Sequence, residues 1–590
     1  MPSQFFGLNI AYTGLLASNA AMNTTSNNIA NVQTEGYSRQ QVTQQASNAL
    51  RVFQTYGCAG AGVETLAIER VRDEFYDGRF WDNNAKLGEY DMKQYYMQQL
   101  ETYFDDDGKS TGFKTIFDQL MVTGMQALLK DPNSATAKSQ FVGYAGALTE
   151  YFNGMAGNLE KVQKDINQEI KLKVDEINSI AGEVATLNKQ INTIELTGVK
   201  ANELRDRRTL LIDELSKIVD VQVKETPIID ANNENRETGA NRYMVKIAGG
   251  QMLVDGSDYN GLECVARTSY EKVNQTDIDG LYEVYWADGQ KFNLYNASMG
   301  GDLAGLIQMR DGNNGENFTG QVTATGTTTT ADGKTHDTVT VKVTKAYLQD
   351  LNKCNLSDQG GILDLGNQEF YYDSWEYTCE YDANGNATYS YTFTLSDSEK
   401  NPRGITNDRV GKKAEIGTDL FYQGIPYYMN QMNEWIRTFS QKFNDILTSG
   451  YSGNGDPGVK MFTGNKATGG EQFLLDDAAK RYDKQEKKAG SKMTVKVNDD
   501  SYYRLTAKNF DILEAIEQDP GLMANRKDAA DGVEQNDLLN DLKNLATDKT
   551  KMSFRGCNAS EFLQCILSDV ALNASRANTF YASFKDVSAT

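Results

Sequence analysis

The chain has 590 residues, 24% of them charged, with a formal net charge of -22 and a pI near 4.7. That acidity argues against a nucleic-acid backbone or an anionic membrane as partner, and no run of about 18 apolar residues is present to span a bilayer. The length implies roughly three or four domains, while the N-terminus lacks both the basic start and the unbroken apolar run of a secretory signal.

The first 43 residues organise the rest. No Asp, Glu, Lys or Arg precedes Glu35. Leu8, Leu15, Met22 and Ile29 recur at every seventh position, with the small residues Ala11, Ser18 and Thr25 between them. On a helix this is a narrow apolar seam of coiled-coil period. The other faces carry Asn, Ser, Thr and Ala, which can be buried against a neighbour without desolvating a charge. A solvated surface helix would put Lys and Glu there, so this helix is expected to be surrounded by other chains. The alternative is an amphipathic helix docked on its own domain. Asn31 suits a helix end, and Gly36 suits a turn needing positive φ.

Asn28-Ile29-Ala30-Asn31, followed by Val32-Gln33-Thr34-Glu35-Gly36-Tyr37, resembles the NNIAN-x-x-T-x-GY signature of the axial rod, hook and hook-associated proteins of the bacterial flagellum. The continuation Ser38-Arg39-Gln40 is similar to the hook-associated branch that joins hook to filament. Hook and rod proteins more often continue with Lys-Arg. The resemblance implies export through a dedicated channel using an uncleaved N-terminal segment, and hence an extracellular location.

Residues 50–70, with Val52, Phe53, Gly57, Gly60, Gly62 and Val63, read as an extended connector with a short hairpin. Val71 to Phe104 reads as helix through Val71, Phe75, Met97 and Leu100, broken by Asp105-Asp106-Asp107-Gly108. A second helix from about Ser110 shows Phe113, Ile116, Phe117, Leu120, Met121 and Leu128 on one broad face. Asp131-Pro132-Asn133-Ser134 stops it and opens another.

From about Asn158 to Leu196, Ile170, Ile177, Val184 and Ile191 hold one heptad position, while Ile166, Ile180, Leu187 and Ile194 hold the other. Lys173 is the single polar interruption of that second series. After Gly198 the chain returns as a helix from Asn202 to Val219, which makes an antiparallel helical hairpin. Asn202, Leu204, Asp206, Arg208 and Leu211, with Glu214-Leu215-Ser216, resemble a stretch of the hook-associated branch. The dense charges here are expected as i,i+4 pairs on a solvated face or at a subunit contact.

At Pro227 the period changes to that of strands, at 243–247, 251–254 and 282–286. Gly300-Gly301-Asp302-Leu303 to Arg310-Asp311 resembles a short helix of the family, where a long helix follows within a couple of dozen residues. Here 316–417 intervenes, rich in Thr, Tyr, Gly and Asn. Its runs at 338–343, 377–381 and 389–395 predict an outer β-domain with a turn at Asn384-Gly385. Helix resumes at Ile425 through Tyr428, Met432, Trp435, Phe439, Phe443 and Ile446, and ends at Gly450. Gly458 and Met461-Phe462 in the following loop also resemble the family. Strands are expected near 493–497 and 502–505, then helices over 538–545 and from Ser560.

The last helix carries Phe562, Ile566, Val570, Ala577, Phe580, Phe584 and Val587 up to Thr590 with no stop signal. Family members carry a further C-terminal helix that pairs with the N-terminal one. The expectation is that the native protein continues and that the N-terminal seam is here without its partner.

Chemical motifs are weak. Gly453 to Gly458 matches G-x-G-x-x-G but follows a helix, where a dinucleotide site needs a strand. Asp382 to Asn386 begins like a calcium loop but has Ala387 where Gly is required, so a hairpin turn explains it better. His336, the one histidine, falls in a turn-like run from Ala331 to Asp337 and is expected to be solvated. Cys58, Cys264, Cys354, Cys379, Cys557 and Cys565 show no C-x-x-C spacing. If Cys557 and Cys565 share a helix they are too far along it to bridge, so free thiols are expected.

The fold class is therefore α+β multidomain: helical bundle and coiled-coil core domains from both chain ends, with inserted β-rich domains. The expected units are an axial helix and connector (1–55), a helical domain (56–222, completed by about 421–450 and 541–590), a β-rich domain (223–315, with 451–540), and an inserted outer β-domain (316–417). The resemblance implies a non-catalytic structural subunit at the hook tip, without cofactor or metal. Its implied partners are copies of itself in a ring, hook subunits, the next junction protein towards the filament, the export apparatus and an export chaperone. The alternatives are a hook or distal-rod subunit, or a secreted enzyme or glycan-binding protein acting through 316–417.

Overall fold

The computed structural model describes residues 5–51, 58–104, 112–230, 233–330, 333–467, 470–475, 481, 484–485, 487–497 and 501–588. The Asp105–Gly108 break, the helix start near Ser110, Val52, Phe53 and Gly57 of the connector, Ala331 and Asp332 before His336, and Thr590 lie outside the described residues.

Helix α1 (Phe6–Ala30) leads into a ribbon of β1 (Gln40–Ala46) and β4 (Val63–Arg70), with the short rungs β2 (Leu50–Arg51) and β3 (Cys58–Ala59) between them. Then follow α2 (Glu74–Phe104), α3 (Phe113–Asp118), one π-helical stretch and α4 (Met125–Lys130). The spine of the molecule is α5 (Ala135–Glu195), a single helix of 61 residues. Ser134 opens it by accepting a hydrogen bond from the Ala137 amide at its side chain, which satisfies one of the orphan donors of the first turn.

The heptad residues of α5 do what their spacing demands. Ile166, Ile170, Ile177, Ile180, Val184, Leu187 and Ile191 are buried, and Ile194 at the end is partly out. Helix α6 (Asn202–Ile218) folds back along α5, completing the hairpin. Against α5 pack the four-stranded sheet β5 (Val221–Asp230), β6 (Asn233–Ile247), β7 (Gln251–Asp255) and β8 (Asp258–Tyr259), and the pair β9 (Leu262–Ala266) and β10 (Tyr282–Trp286). Helix α7 (Gly301–Asp311) wedges between α5 and α2 and is buried along its length.

The segment after α7 forms a closed barrel. Its strands are β11 (Phe318–Thr329), β12 (Thr335–Val343), β13 (Gly361–Leu365), β14 (Glu369–Tyr381), β15 (Ala387–Leu395) and β16 (Lys413–Ile416), with α8 (Ala346–Gln349) between β12 and β13. The order β13-β16-β11-β12-β15-β14 closes because β13 also pairs with β14. Leu363, Tyr372, Trp375, Tyr391 and Phe393 fill the interior. Closure covers the edge of β14 only at Glu369–Tyr372, and the rest of that edge is taken by a later strand.

Helix α9 (Ile425–Thr448) returns through the body. Trp435 sits among Phe113, Phe117, Phe152 and Phe439 and donates from its indole to the Ala559 carbonyl at 3.0 Å. Buried Arg437, two residues along α9 from both Trp435 and Phe439, donates to the carbonyls of Cys354 (2.9 Å), Asn352 (3.2 Å) and Leu505 (3.0 Å), fastening the inserted segment to the helical body. The remaining elements are β17 (Phe462–Gly464), β18 (Lys492–Lys496), β19 (Phe510–Ile512), α10 (Glu514–Gln518), α11 (Asp537–Leu545) and α12 (Ala559–Ser588). Helix α12 runs antiparallel to α2: Gln94 bonds Asn578, Tyr90 stacks on Phe584, and Asn83 donates to the Phe584 carbonyl.

The α+β multidomain organisation is as the sequence predicts, with local corrections. Residues 451–540 do not follow 223–315 as a block: β17 and β19 pair with each other in the main core, while β18 crosses to add an edge to β14. The insert is thus completed from outside 316–417. Tyr502–Arg504 is a 3-10 turn and not a strand; Tyr502 faces the main core and Tyr503 the barrel core. His336 lies in strand β12, half-buried, with Nδ1 3.1 Å from the Leu395 carbonyl. Asp382 accepts from the amides of Asn384 and Asn386 at the tip of the β14–β15 hairpin.

Candidate subunit-packing surface

Helix α1 buries only a strip of small residues against the β1–β4 ribbon. Ala17 and Thr24 are its buried residues, and the Gln44 side chain donates to the Ala17 carbonyl. The ribbon approaches closely at Gly62, whose left-handed backbone lies against Thr13. The apolar seam faces the other way. Leu8 is 67% exposed, Leu15 58%, Met22 61% and Ile29 69%. Four large apolar side chains in register are more than a lone helix face normally leaves in water.

The stripe is wider than the seven-residue repeat alone. Phe5, Tyr12 and Leu16 are exposed beside it. Phe5 and Tyr12 occupy the second heptad position, which continues at Asn19 and Ser26; that series was present in the sequence and its polar half hid it.

The signature residues after the seam build a tight reversal. Asn31 is the C-cap of α1, and its amide donates to the Asn27 carbonyl. Gly36 has φ +75, and a Cβ there would meet Leu210 of α6 at 3.2 Å. The Asn28 side chain donates to the Gln40 carbonyl (2.9 Å) and accepts from the Gln40 amide (2.9 Å), a two-bond clamp between α1 and β1. The Tyr37 hydroxyl donates to the same Asn28 oxygen at 2.9 Å. Burial, with Asp206 and Glu203 adding to it, raises the Tyr37 pKa, so the hydroxyl remains a donor. Ala30 and the Arg39 side chain are exposed, while the Arg39 carbonyl accepts from the Val71 amide.

The helical-hairpin residues meet this reversal. The Ser38 amide donates to Asp206 Oδ2 at 3.1 Å, and the Gln40 side chain donates to Glu203 at 3.2 Å. Asp206 also pairs with Arg70 of β4 at 3.2 Å, and Asn202 donates to the Ile68 carbonyl. The expectation of i,i+4 pairs on a solvated face is therefore corrected. Asp206 and Arg208 are buried, and their partners lie on other elements. Arg208 bonds Asn188 of α5 (2.8 Å) and Glu225 of β5 (2.9 Å) and stacks on Tyr243. Burial lowers the Arg208 pKa, whereas at Arg205 burial is outweighed by Glu195 and Glu225, which raise it. Arg207 points out, towards Glu183. Leu204 and Leu211 close a small cluster with Leu187, Ile191 and Ala201.

Two groups of sequence-predicted residues are thus brought together: Asn28, Asn31, Gly36, Tyr37, Ser38 and Gln40 with Asn202 and Asp206. The seam residues Leu8, Leu15, Met22 and Ile29 share one exposed face of α1. Arg70 and Glu203 complete the junction and were not among the predicted site residues; their partners Asp206 and Gln40 are more than a hundred residues away in sequence. Among the described residues no group of three His, Cys, Asp or Glu is placed to hold a metal, and no helix is long and apolar enough to cross a membrane.

Residues 97–331 match the family described as the flagellar hook-associated protein FlgK helical domain, and residues 8–37 match the flagella basal body rod protein family. The chain is 35% identical to flagellar hook-associated protein 1 of Bacillus subtilis over 231 residues, which is 38% of this chain and 45% of that protein. The same-named protein of Escherichia coli is 29% identical over 264 residues, 44% of each chain, and that of Salmonella typhimurium 30% over 263 residues, again 44% of each. These matches span less than half the length of each relative. A structural match to the flagellar hook junction protein FlgK of Burkholderia pseudomallei covers 87% of this chain and 98% of that one, with a TM-score of 0.42 and 14% identity. The resemblance to flagellar hook-associated proteins carried by Asn28–Gln40 and by the α6 residues is borne out by the family and sequence matches.

Proposed function

We propose that this chain, as a relative of flagellar hook-associated protein 1, is a non-catalytic structural subunit that assembles at the hook tip and joins hook to filament. The observation that carries the reading is the bare, uncharged apolar stripe of α1, held rigidly by the Asn28–Gln40 clamp and the Ser38–Asp206 bond. A surface of that kind loses free energy in water and gains it against a neighbouring helix. Its neighbours in this reading are copies of itself in a ring, hook subunits below and the next junction protein above. Delivery runs through the flagellar export apparatus with an export chaperone, and the working location is outside the cell.

The barrel of 316–417 hangs on the helical body through Arg437 and has a filled interior, which suits a displayed outer domain better than a ligand cup. The test is electron microscopy of isolated, filament-free hooks incubated with the full chain and with a version lacking residues 1–40. Decoration of hook tips that needs the N-terminal segment supports the reading. Self-assembly into hook-like tubes replaces it with a hook subunit, and neither outcome returns attention to the barrel.

A further inference from the structure

The spacing of Cys557 and Cys565 rules out a bridge only if both lie on one helix. The structure places them otherwise. Helix α12 begins at Ala559, so Cys557 lies outside it, and its Sγ is 3.2 Å from the Sγ of Cys565. That is closer than two unbonded sulfurs normally sit, and a disulfide needs an approach of only about 1.2 Å more.

Both ends of the pair are held by their surroundings. Phe554 and Cys557 exchange backbone hydrogen bonds (2.9 and 2.7 Å) around Arg555 and Gly556, whose φ values of +48 and +82 make the two-residue reversal. The Arg555 side chain ties that turn to α12 through Asp569 at 2.6 Å. Between the two cysteines, Asn558 and Glu561 cap the helix reciprocally: the Glu561 amide donates to the Asn558 side chain, and the Asn558 amide donates to the Glu561 carboxylate. The turn, the cap and the ion pair therefore fix the angle at which Cys557 meets the second turn of α12. The other four cysteines are distributed among β3, β9, the barrel floor and β14.

We propose that Cys557 and Cys565 are a disulfide-forming site, closed by exchange with a low-molecular-weight disulfide once the folded chain meets an oxidising solution. One protein thiolate attacks a sulfur of the external disulfide, forming a mixed disulfide and releasing one thiol. The second protein thiolate then attacks the protein sulfur of that mixed disulfide and expels the second thiol. Two protein thiols are oxidised, one external disulfide is reduced to two thiols, and the two protons pass from the cysteines to the released thiolates. Burial and the adjacent Cys557 thiol push Cys565 up to about 11, so exchange is slow near neutrality and quickens as pH rises. The bond would staple the start of α12, whose later turns cover α2, to the turn that precedes it.

The test uses the full folded chain equilibrated with excess oxidised glutathione, then alkylated and digested with trypsin. Cys557 and Cys565 lie on one tryptic peptide, 556–576, so closure appears as that peptide two hydrogens lighter and unalkylated, while exposed Cys58 serves as the reactive control. The expected result is closure of this peptide and a thermal midpoint about 2–4 °C higher, abolished in Cys565→Ser. Circular dichroism of the reduced variant verifies that it folds. Full alkylation of both cysteines after equilibration, or pairing of either with another cysteine, would overturn the proposal.

Discussion

The backbone amide of Ser38 donates to the carboxylate of Asp206 across 3.1 Å, and this bond fastens the reversal after α1 to the back of the helical hairpin. Asp206 holds Arg70 of the β1–β4 ribbon with its other oxygen, so one buried carboxylate fixes both strands that carry α1. The apolar stripe is exposed in a defined direction because of this junction.

Replacing Asp206 with Ala should loosen the ribbon without unfolding the spine. The loss of one charged acceptor for a buried amide and a guanidinium is worth about 1–3 kcal/mol. Hydrogen exchange of the Ser38 amide should then quicken roughly tenfold to a hundredfold, with α5 amides unchanged. Unchanged exchange at Ser38 would remove Asp206 from the account.

Lys173 interrupts the heptad of α5 for a reason that lies on α7. Its ammonium is 2.9 Å from Asp302, whose side chain is only 2% exposed. Burial raises the Asp302 pKa and Lys173 draws it back, so removing the cation leaves a carboxyl that is costly to ionise. Lys173→Ile completes the apolar repeat, yet should destabilise by about 2–4 kcal/mol in urea unfolding. Adding Asp302→Ala should recover at least half of that. A single variant as stable as the parent would contradict the role of the pair.

Two glycine substitutions should have opposite signs. Gly301 has φ +65, and a Cβ there would fall 2.2 Å from the Ile218 carbonyl carbon. Gly301→Ala should cost upwards of about 3 kcal/mol by strain and by pushing α7 off the end of α6. Gly154 on α5 faces open space, so Gly154→Ala should stabilise by about 0.5–1 kcal/mol through helix propensity. Denaturant midpoints measure both.

Glu434, buried on α9 with Lys353 at 3.7 Å, has its carboxyl pushed up to about 7 by burial, against an ordinary value near 4.5. Between those values the folded state keeps a proton that the unfolded state releases. Its contribution to stability is therefore full below about 4.5 and lost as pH rises through 7, on the order of 3 kcal/mol in all. Glu434→Gln should flatten that part of the stability profile between pH 5 and 8. Parallel profiles for variant and parent would contradict the raised value.

Where one periodicity served one core, the elements could be read from sequence: the buried series of α5, the strand Tyr282–Trp286 and the helix Ile425–Thr448 follow their spacing. The exceptions have physical causes. Tyr502 and Tyr503 alternate like a strand because they serve two different cores. The charges of α6 sit at helical spacing, yet Arg205 and Arg208 reach Glu195 and Glu225 on other elements. The seam of α1 was legible, whereas its exposure depends on the ribbon that claims the opposite face, and the pairing of β1 with β4 is a long-range choice. Cys557 and Cys565 are free thiols as expected, but they do not share a helix: α12 starts at Ala559, past the first of them, and that start was not legible from their spacing.

The most direct test is electron microscopy of filament-free hooks with the full chain and with a variant carrying Leu8→Gln, Leu15→Gln, Met22→Gln and Ile29→Gln. Gln keeps helix propensity and removes only the apolar stripe. Protection of the Ser38 amide in the variant verifies that α1 remains docked. The account predicts decorated hook tips with the parent chain and bare tips with the variant. Equal decoration by both would contradict it.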